Sequence, residues 1–63
     1  MISLTRLNGD PFVLNAELIK TIEATPDTTI TLIGGDHMLV RESVKEVVKR
    51  AIEYGRSVRA FAT

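Results

Sequence analysis

Residues 42–54 carry the longest helical pattern in the chain. Apolar side chains recur at offsets of zero, three, four, seven and eight, which is one face of a helix with 3.6 residues per turn. They are Val44, Val47, Val48, Ala51 and Ile52. Ser43 is suited to the N-cap, with Glu46 completing a capping box, and Gly55 is suited to a C-terminal stop. The pattern predicts a helix over residues 44–54 that docks its apolar face, followed by a tail over 56–63.

Shorter patterns precede this helix. Apolar and polar residues alternate in short runs, which is typical of half-buried strands. These runs predict strands at about residues 2–7, 11–14, 19–24, 29–33 and 37–41. Asn8-Gly9 and Gly34-Gly35 are hairpin signals, and Asn15 could cap a single helical turn between the second and third strands.

Five short strands followed by one helix indicate an α+β fold that is mostly β. We expect one small domain over residues 1–63, a small curved antiparallel sheet or partial barrel with the C-terminal amphipathic helix packed on it. Val13, Ile33 and Leu39 fall off the face that the helix covers, where a half-solvated sheet should be polar. Either the sheet closes over them or a second subunit covers them, and Phe61 could reach the same patch. This predicts a homo-oligomer that associates through Val13, Ile33, Leu39 and Phe61.

Length and composition support self-association. A chain of 63 residues is small, and domains of this size bury only about 60% of their unfolded surface. The sequence has no cysteine and one histidine, which excludes disulfides and an imidazole metal cluster. It shows no transmembrane span and no secretory signal, so we expect a cytoplasmic protein.

The charges are unevenly distributed although they sum to zero. Residues 1–36 hold two cations against five carboxylates, which leaves −3, and residues 37–63 hold six against three, which leaves +3. The basic half could face an acidic partner or lie near a membrane surface, and the alternative is that both halves are ordinary solvated surface. We expect a partner surface on the polar side of the helix, formed by Lys45, Lys49, Arg50, Arg56 and Arg59.

Residues that could carry catalysis do not form a recognisable set. Asp36 and His37 are neighbours in a predicted strand, where adjacent side chains point to opposite faces. Gly34-Gly35 lacks the spacing and the lysine of a phosphate-binding loop. We therefore expect no enzymatic activity, no cofactor and no metal. The zero net charge and the few aromatic residues make nucleic-acid binding an unfavoured alternative.

Several segments resemble the FlbD/SwrD family, small proteins of bacterial flagellar operons. The resemblance covers nearly the whole chain to about Tyr54 and rests most on three segments: Leu7-Asn8-Gly9, Glu23-Ala24-Thr25-Pro26-Asp27-Thr28 and Glu42-Ser43-Val44. It implies a cytoplasmic accessory protein at the flagellar motor that supports swarming, by raising motor power through the stator units. The resemblance brings no catalytic or cofactor residues. Alternatives that stay open are a small nucleic-acid-binding regulator and an adaptor of the flagellar export or basal-body apparatus.

Overall fold

The chain forms five strands followed by one long helix. A computed structural model describes the backbone of residues 1–62 and the side chains of residues 1–56. The elements in chain order are β1 (Ile2–Thr5), β2 (Pro11–Leu14), a 3₁₀ turn (Ala16–Leu18), β3 (Ile19–Glu23), β4 (Thr28–Leu32), β5 (His37–Val40) and α1 (Val44–Ala62). The strand limits differ from those expected from the sequence by at most two residues.

The strands are divided between two antiparallel sheets. One sheet pairs β1 with β2, and the other has the order β3-β4-β5. An isolated antiparallel bridge between Arg6 and Val40 joins the end of β1 to the end of β5. Next to it, the Arg41 N–H donates to the Thr5 carbonyl over 2.8 Å. The two sheets stay open and do not close into a barrel. This confirms a mostly β fold with a C-terminal helix, and it rules out the possibility that the sheet closes over Val13, Ile33 and Leu39.

The β1–β2 hairpin turns through a three-residue loop, Leu7-Asn8-Gly9. The Gly9 N–H donates to the Arg6 carbonyl, and the Arg6 N–H donates to the Asp10 carbonyl, each over 2.9 Å. Gly9 has a φ of 97°, while no residue other than glycine has a positive φ among the described ones. This is a type I turn followed by a bulged glycine. The hairpin expected from Asn8-Gly9 is therefore present, with positive φ at Gly9 and not at Asn8.

The β4–β5 hairpin repeats this turn with Gly35 at the bulged position. Gly35 has a φ of 95°, and its N–H donates to the Leu32 carbonyl over 2.9 Å. The Leu32 N–H in turn donates to the Asp36 carbonyl over 2.8 Å. Ile33 is consequently a loop residue and not the last residue of a strand, which corrects its assignment to the second face of the sheet.

A β-bulge in β3 lets two isoleucines face the core. Ile19 pairs with Leu32 and Thr21 pairs with Thr31, so Lys20 is the extra residue. In a regular strand, residues 19 and 22 would point to opposite faces. The inserted residue shifts the alternation of side chains by one position, so Ile19 and Ile22 point to the same face and both pack against the core.

The core lies between the two sheets and the helix. Its buried members are Ile2, Leu4, Leu14, Ile30, Val40 and Val47. Val47 is completely buried, and Val44 and Ala51 are partly buried. Val48 and Ile52 are 39% and 50% exposed. The expectation that the whole apolar face of the helix docks is therefore wrong for these two residues, because the open scaffold covers only the ridge centred on Val47.

The helix does not end at Tyr54 as expected but continues through Gly55 to Ala62. A glycine stops a helix by taking a left-handed conformation with positive φ. Gly55 does not do so. Its cost inside a helix is about 1 kcal/mol relative to alanine, which is too small to end the helix. Residues 56–62 are therefore helical and not a separate tail.

Candidate interaction surface on the C-terminal helix

The start of α1 is built by local hydrogen bonds. The Ser43 hydroxyl accepts from the Glu46 N–H over 3.2 Å, which confirms Ser43 as the N-cap. The Glu46 carboxylate accepts from Arg50 Nε over 3.1 Å, which is an ion pair one helical turn apart. The second bond of a capping box, in which the Ser43 N–H would donate to the Glu46 carboxylate, does not form among the described residues. Glu46 is engaged by Arg50 instead.

Glu42 connects this helix start to β1. Its two carboxylate oxygens accept from the Thr5 N–H over 2.9 Å and from the Thr5 hydroxyl over 2.8 Å. Desolvation acts to raise the pKa of Glu42, but the Thr5 hydrogen bonds, together with the charge of Arg50, outweigh it. The pKa of Glu42 is therefore held below its ordinary value, and the group is a carboxylate at neutral pH. Sequence patterns did not reveal this role.

Arg50 belongs to the same network. Its Nη1 donates to the Ser3 carbonyl over 2.6 Å and lies 3.5 Å from Glu42 Oε2, while its Nε bonds Glu46. A guanidinium with these partners is held against β1 and is only partly exposed. Arg50 was expected to share a partner surface with Lys45, Lys49 and Arg56, but it lies apart from them. Its hydrogen bond to Ser3 connects the helix to β1.

The opposite side of α1 presents a mixed basic and apolar surface. Its members follow helical spacing and are all exposed: Lys45, Val48, Lys49, Ile52 and Arg56, here called the basic stripe. Within the described side chains, the recorded ion pairs involve only Arg50, so the three stripe cations have no carboxylate within salt-bridge distance. The structure brings Lys45, Lys49 and Arg56 together as expected. The Arg59 side chain lies outside the described side chains.

A groove runs beside the basic stripe, between α1 and β3. It has a volume of about 490 Å³ and is lined by Ile22, Val48, Ala51, Ile52, Gly55 and Arg56. The stripe and the groove share Val48, Ile52 and Arg56, so apolar side chains and a cation border the same concave surface. Sequence reasoning missed this groove because it assigned Val48 and Ile52 to the core. A glycine inside the helix was the one local sign of it.

The residues expected to mediate self-association do not form one cluster. Val13 is 62% exposed and pairs with Ser3 across β1–β2. Leu39 is 41% exposed on β5, which meets β1 only at Arg6. Ser3 and Arg6, the partners that mark these two places, are three positions apart, which is about 10 Å along the strand at 3.3 Å per residue. Ile33 is exposed in the β4–β5 turn, and the Phe61 side chain lies outside the described side chains.

Polar groups on the outer face of the second sheet satisfy each other locally. The Thr31 hydroxyl and His37 Nδ1 lie 3.0 Å apart across β4 and β5. In the described part of the chain, no three His, Cys, Asp or Glu residues gather closely enough to hold a metal ion. No helix among the described residues is long and apolar enough to cross a bilayer. The basic stripe with its groove is therefore the feature that most resembles a binding surface.

Comparison with protein families places this arrangement in a biological context. The FlbD family model, described as flagellar and swarming motility proteins, matches residues 1–59. The chain belongs to the FlbD family. The match includes both sheets and every residue of the basic stripe and groove. No match was found among the curated proteins or the solved structures. FlbD membership connects the chain to flagellar and swarming motility, and it confirms the resemblance seen in the sequence.

Proposed function

We propose that this FlbD-family chain is a non-enzymatic accessory protein that supports swarming by raising flagellar motor power through the stator units. It acts by protein–protein interaction at the cytoplasmic face of the motor. The family match over residues 1–59 is the observation that carries this proposal. The exposed basic stripe supports an interaction role, because its cations have no intramolecular partner among the described side chains.

Swarming of a flagellated strain that lacks the gene tests the proposal. The triple variant Lys45→Glu, Lys49→Glu, Arg56→Glu should fail to restore swarming while the wild-type chain restores it. All three residues are exposed, so the far-ultraviolet circular dichroism and the unfolding midpoint should change little. Torque measured on tethered beads should fall with swarming. Normal swarming by the folded triple variant would remove this surface from the proposal.

A single-site pair separates position from charge. Lys49→Glu reverses a charge on the basic stripe. Lys20→Glu makes the same reversal in the β3 bulge, at an exposed residue that lines neither the stripe nor the groove. We expect a swarming defect from the first and not from the second. Equal defects would assign the effect to net charge. Loss of basal-body localisation without any change in torque would favour the export or basal-body adaptor instead.

We also propose that the chain forms a small homo-oligomer. The exposure of Val13 and Leu39 on the strands and of Ile33 in the β4–β5 turn supports this. Sedimentation across micromolar concentrations should give a mass of at least twice the 7.0 kDa of one chain. A mass near 7.0 kDa throughout would refute self-association while leaving the motility role standing.

A further inference from the structure

We propose that the groove and the basic stripe together bind an acidic amphipathic helix of a partner protein. Apolar side chains of that helix would occupy the space between Ile22 and Ile52, and its carboxylates would face Lys45, Lys49 and Arg56. Amphipathic helices bind grooves in this way, through apolar residues spaced three or four apart. The inference deepens the proposed function and rests on it, since it names the kind of partner that the motility role requires.

Charge complementarity selects an acidic occupant. The surface carries the three stripe cations and one nearby carboxylate, Glu53, which leaves +2. An approaching carboxylate would find cations that have no intramolecular partner among the described side chains. Opposite charges around an apolar centre accelerate association and set the register of a complex. A basic or neutral helix would gain nothing from these residues.

The same charges argue against a second copy of α1 as the occupant. A symmetric parallel pair of helices would place Lys45 against Lys45 and Lys49 against Lys49. An antiparallel pair centred between Val48 and Ile52 would place Lys45 beside Arg56 of the other copy. Either arrangement brings like charges together around a small apolar contact, which is unfavourable. Self-association is therefore assigned to other surfaces, and the helix groove is left for a partner.

The concave shape favours a protein segment over a lipid surface. Four apolar side chains line a groove between α1 and β3: Ile22, Val48, Ala51 and Ile52. An interfacial helix inserts its apolar face into a bilayer, which requires that face to be the most prominent part of the surface. Here two of the lining residues, Ile22 and Ala51, are only partly exposed. A protruding side chain can reach them, whereas a flat bilayer surface cannot.

Gly55 provides an independent observation at the same place. It lies inside α1 without positive φ, so the backbone conformation does not require glycine. A Cβ added there would meet nothing within 4 Å, so packing within the chain does not require glycine either. A glycine in a helix interior costs stability relative to alanine. Close approach of a partner backbone to this end of the groove accounts for its presence.

In-cell photocrosslinking tests the occupant. The photoreactive amino acid benzoylphenylalanine is placed at position 53, beside Lys49 and Arg56 of the basic stripe, in the full chain within swarming cells. Position 20, the exposed bulge residue of β3, is the matched control because it lines neither the stripe nor the groove. We expect mass spectrometry to map the position-53 crosslink to a segment rich in Asp and Glu with apolar residues at helical spacing. The yield should fall at least tenfold when Lys45 and Lys49 are replaced by Glu.

Four results would overturn the inference: no crosslink specific to position 53, a crosslink to a second copy of this chain, a crosslink to phospholipid, or a segment that is not acidic.

The affinity of a peptide made from the mapped segment then tests the groove directly. Gly55→Leu should weaken its binding to the purified full chain at least tenfold. The free variant should unfold at the same or a higher temperature, because leucine favours the helix and the space is open. Unchanged peptide affinity would overturn the close approach at Gly55.

Failure of this inference is distinguishable from failure of the proposed function. Deletion of the gene reports on motility alone. If deletion leaves swarming unchanged while position 53 still captures an acidic helix, the motility role fails and the groove assignment stands. If deletion abolishes swarming and the captured segment is basic, the motility role stands and the groove assignment fails.

Discussion

Two adjacent valines in α1 should lose very different amounts of stability on the same substitution. Val47 is completely buried, and Val48 is 39% exposed beside the groove. Val47→Ala removes two buried methyl groups at about 0.8 kcal/mol each. A residual cavity increases the loss of stability by about 1 kcal/mol, and the better helix propensity of alanine reduces it by roughly 0.6 kcal/mol. We expect a net loss of about 2 kcal/mol in the free energy of unfolding.

At Val48 the terms nearly cancel. The side chain is only partly buried, so the loss of transfer free energy is about 1 kcal/mol, and water fills the vacated space without a cavity. The gain in helix propensity offsets roughly 0.6 kcal/mol of this. Val48→Ala should therefore change the stability by less than about 0.5 kcal/mol. The two variants have identical composition, which makes each the control for the other.

Urea unfolding followed by circular dichroism measures the difference. Globular domains hold about 0.05–0.15 kcal/mol per residue, so the chain should have roughly 3–9 kcal/mol in total. A loss of about 2 kcal/mol is then a large and measurable fraction. The urea dependence should keep the same slope in both variants. Equal losses at Val47 and Val48 would refute the helix orientation, and a loss at Val48 that grows with protein concentration would show that another copy covers it.

Three further predictions concern the helix start, a turn and the helix interior. Glu42→Ala should lower the free energy of unfolding by about 1.5–3 kcal/mol, because the Thr5 N–H loses a charged acceptor. Since the folded pKa of Glu42 lies below its ordinary value of 4.5, its contribution is complete above pH 4.5 and declines as the pH falls through the folded pKa. Urea midpoints from pH 7 to pH 3 should therefore fall less in Glu42→Ala than in the wild type, and parallel curves would contradict this. Gly35→Ala should cost about 1 kcal/mol or more, because its φ is positive, whereas Gly34→Ala should be nearly neutral in the same unfolding assay; equal costs would contradict the assigned turn. Gly55→Ala should raise the free energy of unfolding by about 0.5–1 kcal/mol, and a lower thermal midpoint would contradict the open space at that site.

Features that depend on local chemistry were predictable from the sequence. Asn15 caps the 3₁₀ turn, accepting from the Glu17 N–H over 3.1 Å, and Ser43 caps α1. Both capping residues act on N–H groups two or three positions away, so a local pattern contains the whole interaction. The strands follow from alternation and turn signals for the same reason. Membership of the FlbD family was predicted from a resemblance spread along the chain and not from any single chemical site.

Features that depend on distant partners were not predictable. Thr5 and Glu42 are 37 residues apart, and nothing near either residue marks their hydrogen bond. The Lys20 bulge is equally hidden, because it is defined by the pairing of β3 with β4. A strand with apolar residues three positions apart does not fit strict alternation. Only the partner strand shows that an extra residue brings Ile19 and Ile22 to the same side.

The orientation of α1 shows why the candidate site in particular was hidden. Offsets of zero, three, four, seven and eight describe an apolar arc, but they do not say how much of that arc a scaffold can cover. A continuous sheet would offer a surface wide enough for both ridges of the arc. Here the two sheets are joined by a single bridge and stay open, and the core receives the ridge of Val47. Val48 and Ile52 remain on the other ridge, among lysines that a folding argument alone would treat as solvated surface. Among the described side chains, the apolar residues that the fold leaves exposed and the cations that it leaves unpaired are therefore neighbours, and this adjacency is the reason for choosing this face of α1 as the candidate binding surface.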